Sequence, residues 1–433
     1  MNLDKYFSAL TIHTAENLFM IILAMLAVES APSIRFLYNH FICKITSKSL
    51  NAFYNVCSHI RFDCSCFMNI TTSLALSLIT EPLCNEPVFL CIDDTMISKF
   101  GKKFENVSHL FDHAGHNGSN YLNGHCFVSL MICVPTMQNN KIVYVPIPLG
   151  YKMWTKEISK LDLAAEMVRQ IMPDLKEKNQ VILLFDSWYA KKNLTCLAYE
   201  FENLDIVCNA RCDTAMYDLP PERTGKKGRP AKRGKRLYIS DFTLSADKIG
   251  DYYIGYKKVI TNIFEHGCVY AYVTTTNPKS QTRRLFFSTI RPEDIRMSCA
   301  WQEKAPLNQT GSEWMPYVPF FCYSFRWNIE ISYYEQKTFW SLSNYMLRSK
   351  TGIENLVNLI NIAYCSMKIL PYTNEEFRDY RGKSVQEFRL ALSEQINSQI
   401  FYCTFVKNIE SVIKSNSIIE HLKCVLRSVG YHC

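Results

Sequence analysis

The stretch Pro87–Thr95, PVFLCIDDT, carries a continuous apolar run from Val88 to Ile92 that stops at Asp93 and Asp94. Such a run suits a strand buried on both faces, as in a sheet covered by helices. The pattern recurs at Val181–Tyr189, VILLFDSWY, where Val181 to Phe185 end in Asp186. In such sheets ligands bind outside the carboxyl ends of the strands, so acids at two strand ends can meet there. Taken alone, a strand-ending aspartate more often caps the following turn. Side chains alternate along a strand, so Asp93 and Asp94 are expected not to face one site together.

Between these runs, HCFVSLMICVP (125–135) and KIVYVPIPLG (141–150) read as strands, followed by a helix from Leu161 to Met172. The preceding loop, HLFDHAGHNGSNYLNGH, holds His109, His113, His116 and His125 among turn residues. With no cysteine pair nearby, it reads as a glycine-rich hairpin with solvated or phosphate-contacting histidines rather than a zinc site. After Asp186 come a helix (AKKNLTCLAYEF) and a strand (LDIVCNA). Three strands, a helix, a strand and a much later helix with a third acid make the order of an α/β, ribonuclease-H-like core.

That later helix is expected at Tyr323–Lys337, YSFRWNIEISYYEQK. At about 100° per residue, Tyr323, Arg326, Glu330 and Lys337 fall within roughly 60° of one another on one helix face. The acid then sits in a strip of donors, with Arg326 one turn before it to bond a phosphate or orient the carboxylate. An ordinary surface Arg/Glu pair explains two of these residues but not the four-residue register.

The 433 residues suggest two to four units, and 48% hydrophobic with 13% aromatic content describes a globular chain. The formal charge of +8 is modest, but it is clustered. Residues 223–236, RTGKKGRPAKRGKR, hold eight Lys or Arg and no acid, including Lys226, Lys227, Arg229, Lys232, Lys235, Arg233 and Arg236. We read them as a phosphate-tracking arm, whose GRP element can enter a narrow minor groove. The 18 cysteines are scattered without framework spacing, and no signal peptide is read, so reduced thiols in a cytosol are expected. The apolar run Leu18–Val28, bracketed by Glu16 and Glu29, is too short to span a bilayer and reads as a buried helix.

The organisation expected is a helical, DNA-binding region over 1–84, a first part of the core over 85–212, and a β-rich insertion with the basic arm over 213–320. Trp301 and Trp314 lie in that insertion as core residues or base-stacking wedges. A second part of the core with the acidic helix covers 321–370, and a helical region over 371–433, either packed on the core or pairing subunits, completes the chain.

Asp94 in IDDT, Asp186 in LLFDSWY, and Tyr323, Arg326, Glu330 and Lys337 resemble the DDE triad and the Y-x2-R-x3-E-x6-K signature of bacterial insertion-sequence transposases. The group is the insertion-sequence-4 superfamily, in the branch typified by insertion sequence 701. The resemblance spans residues 10 to 370. It implies a ribonuclease-H-like, retroviral-integrase-like core interrupted by a β-strand insertion, two Mg²⁺ ions for which Mn²⁺ substitutes, and DNA cut-and-paste. It selects Asp94, the acid before Thr95, over Asp93. Its implied partners are double-stranded DNA, as transposon ends and target, and a second copy of the chain in the DNA complex, in a bacterial cytosol and at the nucleoid. No membrane partner is expected.

The chemistry suits these residues on its own terms. Phosphodiester cleavage builds charge on the attacking and leaving oxygens, which two hard cations held by carboxylates can stabilise. Two other readings keep the fold: a catalytically inactive DNA-binding derivative, and a structure-selective nuclease that cuts without joining.

Overall fold

The run Val88–Ile92 is fully buried and opens strand β1, Val88–Ser98. The computed structural model describes residues 4–8, 10–30, 33–59, 64–101, 103–112, 120–222, 229, 231–265, 267–291 and 312–413. Contrary to the sequence expectation, β1 does not stop at Asp93. Strand β3, Tyr121–Gln138, runs antiparallel beside it and keeps its backbone paired as far as Ser98 opposite Gly124. Only a glycine fits at that rung, because a Cβ on Gly124 would meet the Ile97 carbonyl oxygen at 2.1 Å.

On its other side β1 pairs in parallel with β5, Val181–Phe185, and β5 in parallel with β6, Leu204–Ala210. The outer edge of β3 carries β2, Ser108–Phe111, and β4, Lys141–Met153. The core therefore reads β4-β3-β1-β5-β6, antiparallel in its first half and parallel in its second. The helix between β4 and β5 is Lys160–Ile171, one residue earlier than expected. Ser159 caps it by accepting the Asp162 N–H at 3.1 Å.

The later strands do not form a separate body. β11, Arg284–Ser288, pairs antiparallel with β6, and β10, Val269–Thr275, and β9, Tyr253–Thr261, follow outward. Short strands β7, Met216–Tyr217, and β8, Arg236–Leu237, finish the sheet. Strands β7 to β11, within the 213–320 region expected as a β-rich insertion, continue the same sheet outward from β6.

Helices cover this sheet. The run Leu18–Val28 lies mostly in helix Ile12–Ala27, with Leu18, Ile21, Ile22, Met25 and Leu26 buried. No helix among the described residues is long and apolar enough to cross a membrane. Helix Lys350–Thr373 packs on β4 and continues through Pro371, where the sequence suggested a boundary. It meets β4 at an irregularity, where the register with β3 slips between Leu130 and Met131. The polar backbone left there is satisfied from the helix: Asn358 bonds both the N–H and the carbonyl of Tyr151, and Asn361 donates to the Pro148 carbonyl at 3.0 Å.

The final helix among the described residues, Val385–Ile413, is locked down by Arg389, which is 1% exposed. Its guanidinium donates to the carbonyls of Met25, Val28 and Phe339, and lies 4.2 Å from the Trp340 ring centroid. One cation thereby sits at the carboxyl ends of two helices, where carbonyls are left unpaired.

Candidate active site

The segment Tyr323–Phe339 lies along one face of β1. Phe325 stacks on Phe89 at 4.2 Å between ring centroids, and the Phe325 carbonyl accepts from the Cys91 thiol at 3.5 Å. Two residues further along that face, Asp93 Oδ2 accepts from Arg326 Nη1 at 3.0 Å. Arg326 Nη2 also bonds Glu330 Oε1. One guanidinium thus joins an acid of β1 to the acid of the helix. Lys337 Nζ donates to the Met96 carbonyl at 3.1 Å, fastening the other end.

The four signature residues do not share one α-helix. Tyr323–Arg326 form a 3₁₀ turn, and the α-helix begins at Trp327 and runs to Phe339. The tighter turn stacks residues three apart, so Tyr323 lies over Arg326, with its ring centroid 5.7 Å from the guanidinium carbon. The Tyr323 ring meets Phe286 of β11 edge-on at 5.0 Å.

Asp94 points away from this strip, as strand alternation requires. Its carboxylate accepts from Lys160 Nζ at 2.8 Å, the Cys126 thiol at 3.0 Å and the Tyr189 hydroxyl at 3.1 Å. Asp186 caps the turn after β5, its Oδ1 accepting the N–H groups of Trp188 at 2.9 Å and Tyr189 at 3.2 Å. Tyr189 therefore links the two aspartates, by its hydroxyl to one and its backbone to the other. The register brings Asp93 level with Asp186, each two residues beyond the pair Cys91 and Leu184.

The electrostatics show crowded acids. Burial, with added repulsion from Asp186 and Asp94, pushes the Asp93 carboxyl up to about 7 against the pull of Arg326. Burial likewise raises Asp186, with Asp94 adding to it and the Tyr189 N–H opposing it. Burial lowers Lys337 and raises Tyr323. For Lys160 burial works against the charge, but the Asp94 carboxylate and the Cys126 thiol lift it above the ordinary lysine range.

Sequence reasoning missed three partners of Asp94. Tyr189 carried a signal, standing three residues after Asp186 in DSWY. Lys160 and Cys126 carried none, being 66 and 32 residues from Asp94 along the chain. His125 is not solvated as expected: it is 1% exposed, bonding the Tyr345 hydroxyl at 2.6 Å and the Glu105 carbonyl at 2.8 Å. His109 pairs with Asn123 and stacks on Tyr121 across β2 and β3. His113 and His116 lie outside the described residues, as do Lys226, Lys227, Trp301 and the side chain of Trp314.

The described part of the basic arm is exposed at Arg229, Lys232, Arg233, Lys235 and Arg236. Arg233 lies 4.3 Å from the Tyr217 ring centroid and Arg236 5.1 Å from that of Tyr238. Lys232 and Arg233 line an open groove of about 880 Å³ that reaches Lys192, itself bonded to Glu265 at 2.7 Å.

Residues 46–245 match the family model of the DDE superfamily endonucleases. The match takes in Asp94 and Asp186 and ends before Glu330. No curated protein sequence matches the chain significantly. The similarity supports a DDE-type, transposase-like nuclease with DNA as its substrate, a class that typically uses divalent metal ions.

The donor set fits such ions. Carboxylate oxygens are hard ligands suited to Mg²⁺ or Mn²⁺, and Asp93 is raised further by the neighbouring Asp186 and Asp94 carboxylates. Among the described residues no three His, Cys, Asp or Glu side chains converge on one point, and Arg326 and Lys160 supply the local cations instead.

Proposed function

We propose that the chain is a DDE transposase of the insertion-sequence-4 superfamily, in its 701-like branch, that cuts transposon ends and joins the freed 3′-hydroxyl to target DNA. The observation that carries this reading is the paired linkage of the acids: Arg326 joins Asp93 to Glu330 while Tyr189 joins Asp94 to Asp186. The strand order β4-β3-β1-β5-β6, with its change from antiparallel to parallel at β1, supports a ribonuclease-H-like core.

On the family resemblance Asp94, Asp186 and Glu330 are the carboxylates that would hold two divalent ions, although it is Asp93, not Asp94, that shares the face of Glu330. When bound, Mg²⁺ lowers the pKa of attacking water and stabilises charge on the phosphoryl oxygens. The chain's own residues supply the rest. Arg326 has two carboxylate partners, Asp93 and Glu330, and its planar guanidinium would also donate to a phosphate beside the cut. Tyr323 and Lys337 flank the same strip and hold the neighbouring backbone. The exposed arm, with Lys226 and Lys227 as its further cations, tracks phosphates away from the cut. Cutting both ends in one complex calls for two copies of the chain on DNA.

The test is cleavage of a supercoiled plasmid carrying the element's flanking ends, with Mg²⁺, Mn²⁺ or Ca²⁺, by wild type and Asp186→Asn. Double-strand release with Mg²⁺ or Mn²⁺ that is lost in the variant supports the assignment. Salt-sensitive binding with no cutting under any metal would overturn it.

A further inference from the structure

Asp94 carries three donors on its two oxygens. Oδ2 accepts from Lys160 Nζ at 2.8 Å and from the Cys126 thiol at 3.0 Å, and Oδ1 accepts from the Tyr189 hydroxyl at 3.1 Å. A carboxylate offers about four lone-pair sites, so Oδ2 is filled while Oδ1 keeps one site open. The donors differ in how firmly they are held. Cys126 and Tyr189 are 1% and 0% exposed, one fixed in β3 and the other in the turn closed by Asp186. Lys160 opens its helix, and its side chain, 16% exposed, reaches Asp94 on a flexible stem. It is the donor able to leave, and it has a second seat close by. Its Nζ stands 5.1 Å from the Trp188 ring centroid and 5.9 Å from that of Trp154, within the range over which an indole face attracts an ammonium. Tyr189, edge-on to Trp188 at 4.9 Å, fixes the nearer indole.

We propose that Lys160 is a positioning residue, a built-in counter-cation that fills Asp94 Oδ2 in the ion-free site and withdraws towards Trp188 and Trp154 when a divalent cation takes that oxygen. This rests on the reading of Asp94 as an ion-holding acid of a DNA-cutting site. With Lys160 and Tyr189 on opposite oxygens, the carboxylate is kept aimed before any ion arrives. Ion binding at Asp94 then exchanges one cation for another instead of adding charge to an open acid. The site holds its ions more weakly than the same acids would without the lysine, and the two indoles set how easily the ammonium is given up.

The probe is Mn²⁺ without DNA, its binding followed by loss of the free-ion electron paramagnetic resonance signal. Lys160→Met is expected to tighten Mn²⁺ binding roughly tenfold, because the competing cation is gone. In an Asp94→Asn background the same substitution should change binding by less than about twofold. Trp188→Ala removes the nearer second seat and should weaken Mn²⁺ binding roughly threefold, with the thermal midpoint little changed. A merely structural ion pair predicts the opposite sign for Lys160→Met, since losing it would loosen the site. Equal or weaker Mn²⁺ binding by folded Lys160→Met overturns the exchange; if that variant does not fold, unchanged binding by Trp188→Ala overturns it. Plasmid cleavage by wild type is scored separately. Cleavage beside unchanged Mn²⁺ binding in Lys160→Met removes the exchange alone, whereas a wild type that neither binds Mn²⁺ nor cuts removes the DNA-cutting reading and the exchange with it.

Discussion

Arg326 Nη1 lies 3.0 Å from Asp93 Oδ2, although the family resemblance assigns catalysis to the neighbouring Asp94. Two adjacent strand acids thus face two different sets of partners. Asp94→Asn, Asp186→Asn and Glu330→Gln are each expected to cut plasmid cleavage by roughly a hundredfold or more. Asp93→Asn should leave most of the activity, because its carboxylate is neutralised by Arg326. If Asp93→Asn is dead and Asp94→Asn active, the roles of the two acids are exchanged.

Arg326→Met removes the cation shared by Asp93 and Glu330, where the arginine side chain is 12% exposed. Leaving the partly buried Asp93 and Glu330 without their shared cation is expected to cost about 2 kcal/mol in urea unfolding. Adding Asp93→Asn should recover part of that loss, which a double-mutant cycle reads directly.

Lys99 sits under the Tyr345 ring, 3.6 Å from its centroid, and donates to the carbonyls of Ser343 and Tyr345. Burial pushes its ammonium down to about 8, from the ordinary 10.5. Below pH 8 both folded and unfolded chains hold the proton, and the buried charge opposes folding. Between pH 8 and 10.5 the folded chain releases it first, so this contribution to stability rises with pH. The urea midpoint of wild type should gain over that of Lys99→Met across this window; parallel profiles would refute the assignment.

Arg389→Ala strips the carbonyls of Met25, Val28 and Phe339 of a common donor inside the core. The expected loss is about 3 kcal/mol or more, measured as a lower thermal midpoint. Arg389→Lys should not rescue it, since a single ammonium lacks the fork that reaches both helix ends.

The phosphate contacts proposed for the exposed arm act through charge. Lys232→Gln and Lys235→Gln should each reduce the salt slope of DNA binding by about one, with little change in thermal midpoint. A fall in midpoint with no change in slope would make the arm structural.

The sheet was legible where a single physical signal governed it. Val88–Ile92 and Val181–Phe185 are buried on both faces, so their apolar runs name them as strands. The end of β1 was not legible, because the pairing that carries it past Asp94 comes from β3, whose own start lay hidden among turn residues. The acid of the helix was found through its register with Arg326, yet the 3₁₀ turn before it was not, since its tighter winding leaves no mark in a 3.6-residue pattern. Lys160 was invisible for another reason: only the tertiary fold brings it to Asp94.

The excursion that begins after Ala210 returns at Leu285, its partner on the neighbouring strand. Departure and arrival therefore occupy the same rung of one ladder. Strands β10 and β9 widen the sheet outward from that rung, with β6 and β11 standing between them and the β5 strand that ends at Asp186.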